Sequence, residues 1–249
     1  MLQYLELVAL NALPGLVVMT VLIIIVGRLT SVRNLTTLWV VAGVFLLVYA
    51  CLLAPNVGFF RTLQWNWQGK ILAAVVALLA ILLTRGLKPA DFGLRGRITT
   101  GSQWALFGGI SAMIVLALAM IALAHGRAMM PATRETLAFQ FIMPGIDEEL
   151  LFRGYLQTRL NAVFLKRWKV LGAQTGWGLP LTAIAFALGH MVMINNHFHV
   201  EWAIPLAFYV LIMGLILGWL RDRTASLWPC VIAHNLASGV MVVWSFFVA

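Results

Sequence analysis

The sequence predicts an all-α fold, a polytopic membrane protein with about eight transmembrane helices and its active site in the membrane interior. Three observations carry that expectation. Apolar residues make up 62% of the 249, and mean hydropathy is +0.96. Only 10% are charged, against the roughly 25% of an ordinary soluble domain. Apolar stretches near the roughly 20 residues that cross a bilayer core recur along the whole chain. One large soluble domain or two small ones would fit the length, but not this composition. A single transmembrane domain over 1–249 is expected, with four N-terminal helices in 1–125 and the later spans in 137–248.

The first span, Val8 to Val26, follows Met1-Leu-Gln-Tyr-Leu-Glu, which has no basic run. It therefore reads as a retained helix rather than a cleaved signal, and no lipidation motif or appended domain is expected. The second span is Leu38 to Leu53. The third, Ile71 to Leu83, is short, which tilt and local lipid thickness accommodate. The fourth runs from Ala105 to Ala124. The fifth, Leu137 to Leu156, is polar in its middle, as a span facing a protein interior can be. The sixth is Leu179 to Ile194 and the seventh Ala203 to Leu220, whose Gly214 and Gly218 read as small residues for close internal packing rather than for dimerisation. The eighth is Leu227 to Val248. Trp39, Trp65, Trp67, Trp177, Trp202 and Trp228 fall near span ends and read as interfacial anchors.

The net charge of +9 is explained by topology. With eight crossings, Arg28, Arg33, Arg85, Lys88, Arg95, Arg97, Arg159, Lys166, Arg167, Lys169, Arg221 and Arg223 share one side. Arg61, Lys70, Arg127 and Arg134 lie on the other, and Arg153 lies inside a span. The positive-inside rule then puts both termini outside the cytoplasm. No basic arm interleaved with aromatics calls for nucleic acid. Cys51 and Cys230 sit in apolar stretches without CxxC spacing, so packing is their expected role. His197 and His199 fall with Asn195 and Asn196 in a short outward loop, where a solvated role is expected.

Charge is costly at membrane depth, so misplaced charges point to function. The fifth span contains Pro144-Gly-Ile-Asp147-Glu148-Glu149-Leu-Leu-Phe-Arg153. Glu149 and Arg153 are i and i+4 in the acid-before-base order that pairs well, while Glu148 is turned away by about 100°. One glutamate is thus expected to be held by arginine while Glu148 is the reactive one. Pro144-Gly145 predicts a helix restart that would bring a positive dipole end near Glu148. His190 and His234 lie in two later spans. At 1.5 Å per residue, Glu148 is about 16 Å from Arg159, His190 about 20 Å from Trp177 and His234 about 16 Å from Arg223, a common depth. A carboxylate and two imidazoles can activate water and stabilise an oxyanion or protonate a leaving amine.

In their order, Glu148-Glu149-Leu-Leu-Phe-Arg153, Phe186-Ala-Leu-Gly-His190 and His234 in the last span, these motifs resemble the CPBP family, the CAAX-protease and bacteriocin-processing (Abi) intramembrane endopeptidases. That family's pattern is EExxxR, FxxxH and HxxxN on consecutive helices. Ala90-Asp-Phe-Gly-Leu-Arg95 also looks like the amphipathic stretch that often precedes the core. The resemblance covers about Leu137 to Val248, the expected catalytic core, and the first four helices match it only in character. It implies that Glu148 activates water with His190, that Glu149 and Arg153 support the site, and that His234 helps form an oxyanion hole. Position 238 is Ser where the pattern has Asn, so either Ser238 or Asn235 supplies the further polar group. Phe186 is expected mainly to pack.

The expected activity is therefore glutamate-type endopeptidase cleavage of a membrane-associated protein or peptide in the lipid bilayer, in a setting that suits a bacterial inner (plasma) membrane. No cofactor and no metal ligands are expected: one glutamate and two histidines could hold zinc, the less favoured case, but HExxH is absent. Two rival readings are a proton-coupled transporter, which would commonly carry a second copy of the acid cluster in an internal repeat, and a noncatalytic membrane chaperone or immunity protein derived from a protease. Oligomeric state and substrate identity are not legible.

Overall fold

A computed structural model describes residues 35–194 and 200–249, together with Val17, Thr20, Val21, Ile24 and Ile25. Most of the first expected span, Arg28, Arg33 and the loop with His197 and His199 therefore lie outside the described residues. The rest is mostly helical. In chain order come α1 (Leu35–Leu52), α2 (Trp67–Leu83), α3 (Gln103–Leu123) and α4 (Arg134–Glu149). A π-helical segment, Leu150–Leu156, leads from α4 into α5 (Gln157–Val163). A hairpin of β1 (Arg167–Val170) and β2 (Ala173–Gly176) precedes α6 (Gly178–Met191). A second hairpin, β3 (Val192–Ile194) with β4 (Val200–Trp202), leads to α7 (Ile204–Thr224) and α8 (Trp228–Val248).

Local chemistry sets the helix ends. Asn66 accepts from Gly69 N–H and caps α2, and Thr133 accepts from Thr136 N–H and caps α4. Pro205 and Pro229 sit in the first turns of α7 and α8, where a missing N–H costs nothing. Among the described residues three helices, α3, α7 and α8, are long and apolar enough to cross a membrane, with α1, α2 and α6 shorter and also apolar. The protein is a membrane protein by composition. On α3, Phe107, Val115 and Leu123 are each more than 60% exposed, an apolar surface suited to lipid rather than water.

Successive helices run to alternate ends. At one end, Thr99 N–H donates to Thr224 O, Leu227 N–H to Gly93 O and Arg95 Nε to Ala225 O, and Arg159 reaches Thr37. At the other, Gln64 and Trp65 N–H donate to the Glu135 carboxylate, and Met129 and Met130 N–H to Ser245 Oγ. Arg95 and Arg159 thus lie at the first of these ends. Lys70 belongs to neither polar end; it is turned into the protein.

Close packing of helices is made by glycine. A Cβ on Gly214 or Gly218 of α7 would press on Ala183 or Leu179 of α6, so this pair serves internal packing. A Cβ on Gly145 would stand 2.6 Å from Val231 O, holding α4 against α8. Phe45, Phe92, Tyr155 and Phe186 fill the core between these helices.

Two sequence expectations are corrected. The helix does not restart at Pro144-Gly145: α4 continues through Pro144 to Glu149, so Glu148 stands at the end of an α-helix, away from any N-terminal dipole. Neighbouring α8 supplies the partner that the broken ladder needs, as described below. The sixth span does not stay helical to Ile194. It ends at Met191, and Val192–Ile194 pairs as a strand with Val200–Trp202.

Candidate active site

Asp147, Glu148 and Glu149 are three consecutive positions on α4, so their side chains fan out about 100° apart. Asp147 and Glu148 share Lys70 and line one cavity, and Glu149 meets a different surface. Glu149 is fully buried and accepts from Arg153 Nη1 at 3.0 Å, the i to i+4 pair read from the sequence. His234 Nδ1 of α8 donates to the same Oε1 at 2.8 Å. Arg153 is itself fully buried, its guanidinium 4.5 Å from the Phe186 ring centroid, a cation–π stack. The carboxylate of Glu149 is thereby fixed between two donors, and it in turn fixes the His234 ring.

Glu148 points another way. It lines a cavity of about 210 Å³ with Tyr49 of α1, Leu151 and Phe152 of the π-helical segment, and Phe186 and His190 of α6. Its Oε2 lies 3.7 Å from His234 Nε2. Its Oε1 accepts from Lys70 Nζ at 2.6 Å, and the same ammonium donates to both Asp147 oxygens at 3.1 Å. Asp147 is 2% exposed, Lys70 and Glu148 15% each.

His190 Nδ1 is 2.9 Å from Phe186 O and donates to it, leaving Nε2 of the neutral ring as an acceptor. The Phe186 ring packs edge-on against His190 and, farther away, His234. Phe186 is fully buried, so packing is its visible task. Asn235, one residue past His234, grips α4 at its proline break: Oδ1 accepts from Gly145 N–H at 2.7 Å and Nδ2 donates to Ile142 O at 3.1 Å. Ser238 is buried one turn farther along α8. The contact with α4 is made by Asn235.

Residues 132–240 match the family model described as Type II CAAX prenyl endopeptidase Rce1-like. The motif-bearing region is Rce1-like. Its matched segment runs from the start of α4 into α8 and contains Glu148, Glu149, Arg153, His190 and His234. The match agrees with the resemblance of the motifs to the CAAX-protease and bacteriocin-processing group. No match is found among curated proteins or among solved structures. Helices α1 to α3 lie outside the Rce1-like match, yet α1 and α2 contribute Tyr49 and Lys70 to the site.

Of the site residues read from the sequence, Glu148, Phe186 and His190 line the cavity, Glu149, Arg153 and His234 form the buried cluster behind Glu148, and Asn235 binds the α4 backbone, while Ser238 is buried without a described contact to them. Lys70 and Asp147 were missed as site residues. The available signal was a lone lysine directly abutting the third apolar stretch, with no acidic neighbour in its own segment to pair with.

Proposed function

We propose that this protein is an intramembrane glutamate-type endopeptidase that hydrolyses a peptide bond of a membrane-associated protein or peptide. The observation that carries this reading is the shared cavity of Glu148 and His190, walled by apolar side chains and set beside His234. A water there donates one hydrogen to the Glu148 carboxylate and the other to His190 Nε2, so its lone pair faces the scissile carbonyl. Glu148 takes the proton as the new C–O bond forms, and passes it to the amine nitrogen as the C–N bond breaks.

The role of His234 depends on its protonation. With Nδ1–H given to Glu149, a neutral ring has a bare Nε2 and cannot donate to an oxyanion; the imidazolium can. Glu149 and Arg153 act through His234, and Asn235, rather than Ser238, is the polar group that fixes α8 to α4.

Zinc fits poorly, because a dication on the Glu148 carboxylate would stand against the Lys70 ammonium already held by its other oxygen. Activity should survive a strong chelator. Loss with chelator and return with zinc would replace this mechanism with a metal-assisted one.

The whole chain is proposed to make eight crossings, with both termini outside the cytoplasm of a bacterial inner membrane. The deciding experiment compares protein termini in membranes and medium from cells carrying the native chain or Glu148→Gln. New termini present only with the native chain identify the substrate and show whether it is prenylated. Equal cleavage by Glu148→Gln removes Glu148 as the base. In the cleavage assay so defined, His190→Ala should lower kcat by about 10² to 10⁴.

A further inference from the structure

We infer that Lys70 of α2 is a positioning residue of this site: it occupies Oε1 of Glu148 and keeps that carboxyl anionic, leaving Oε2, on the His234 side, to take the proton from water. The choice of Oε2 rests on the proteolytic reading above, whereas the effect of Lys70 on Glu148 rests on the ion-pair geometry.

Arg153 is committed to Glu149, which leaves Asp147 and Glu148 as adjacent acids needing a cation from elsewhere. Lys70 supplies it from a helix 77 residues earlier in the chain. Asp147 holds the ammonium with both oxygens and is almost fully buried, so it serves as the anchor. Glu148 receives the shorter contact with one oxygen only. The other oxygen, 3.7 Å from His234 Nε2, is beyond ordinary hydrogen-bond distance and is open to a water. Lys70 does not line the cavity and gives its hydrogen bonds to Asp147 and Glu148, so it acts through Glu148.

The groups facing Glu148 are Lys70 from α2, Tyr49 from α1, His190 from α6 and His234 from α8. On its own helical rod, Asp147 and Glu149 flank it, with Arg153 held by Glu149. Lys70 is the permanent cation in contact with it. A lysine suits this place, being a compact point charge that bridges two carboxylates without the planar fork of an arginine.

The test uses the full chain in proteoliposomes at pH 7 and diisopropylcarbodiimide, an apolar reagent that adds to a protonated carboxyl. Adducts are mapped by mass spectrometry after digestion. Glu148 of the native chain should stay unmodified. In Lys70→Met its modification should rise about tenfold or more, the change that follows from losing an opposite charge at contact. Lys70→Arg should restore protection, and a role in folding alone would not move a site-resolved adduct. If Lys70→Met does not reach the membrane, Asp147→Asn and the double variant Lys70→Met with Asp147→Asn give the same comparison with one acid removed. Equal modification of Glu148 with and without Lys70, or a new adduct confined to Asp147, overturns the inference. No cleavage is needed for this readout. Cleavage surviving in Glu148→Gln would remove the proteolytic reading and the role of Oε2, but not the protection of Glu148 by Lys70.

Discussion

Arg153 shows what one buried charge costs when its partner goes. It and Glu149 are both fully buried, so Arg153→Met would strand a carboxylate in an apolar interior, and thermal unfolding in detergent should register a loss of about 3–5 kcal/mol. Replacing both, Glu149→Gln with Arg153→Met, should recover most of that stability while misplacing His234 and abolishing cleavage. Glu135, just before the fifth span, gives the pH prediction. Backbone N–H groups of Gln64 and Trp65, with the Trp67 indole, stabilise its carboxylate and pull its pKa below the ordinary value. A lowered value means that docking of the Gly58–Trp65 stretch is favoured above the ordinary glutamate range and lost as pH falls through the lowered one. Hydrogen exchange at Gln64 and Trp65 should therefore accelerate with acid in the native chain, and Glu135→Gln should flatten that dependence. At this scale the acids, Arg153 and both histidines were legible because charge inside an apolar run is conspicuous. Lys70 was not, because its partners lie in another helix and it stands at the border of its own run, where a lysine also suits the lipid headgroups.

Between elements, the contact of α4 with α8 decides whether the acids and His234 stay in register. Asn235 satisfies one donor and one acceptor at the proline break. Asn235→Ala would leave Gly145 N–H and Ile142 O without those partners, a destabilisation of about 1–3 kcal/mol readable as a lower unfolding temperature. Gly145→Ala should be worse than its size suggests, because the added carbon meets the backbone of Val231 and must push the helices apart. Gly43→Ala in α1 is the control. Its added carbon has open space around it, so helix propensity should make it neutral or stabilising by up to about 1 kcal/mol. The order of the described apolar helices was readable from hydropathy because each apolar run is separated by polar residues. The π-helical Leu150–Leu156 was not, since nothing in Leu-Leu-Phe-Arg-Gly-Tyr-Leu marks it off from an α-helix; wider turns arise where packing with neighbours prevails over ideal hydrogen bonding.

For the whole molecule, the separation of basic residues between the two ends makes a sidedness prediction. With native cysteines replaced, Lys169→Cys and Arg127→Cys should react with a membrane-impermeant maleimide from opposite faces, Lys169→Cys from the cytoplasmic one; labelling from the same face would break the alternation of helices. The expected orientation rests on a sum of charges, whereas the site depends on contacts among five helices that no summed property records. The end of α6 carries a consequence for the surrounding lipid. Its 14 residues rise about 21 Å, well short of a hydrocarbon core about 30 Å thick. Directly after His190 and Met191 the backbone passes into β3, paired with β4. Extended backbone at membrane depth persists only where protein or water satisfies it, and a helix this short draws the lipid surface inward. On the proposed proteolytic reading, a bilayer that follows so short a helix would be thinned beside His190, and this indentation would admit water to Glu148 and an unwound peptide without the crossing of a full thickness of lipid.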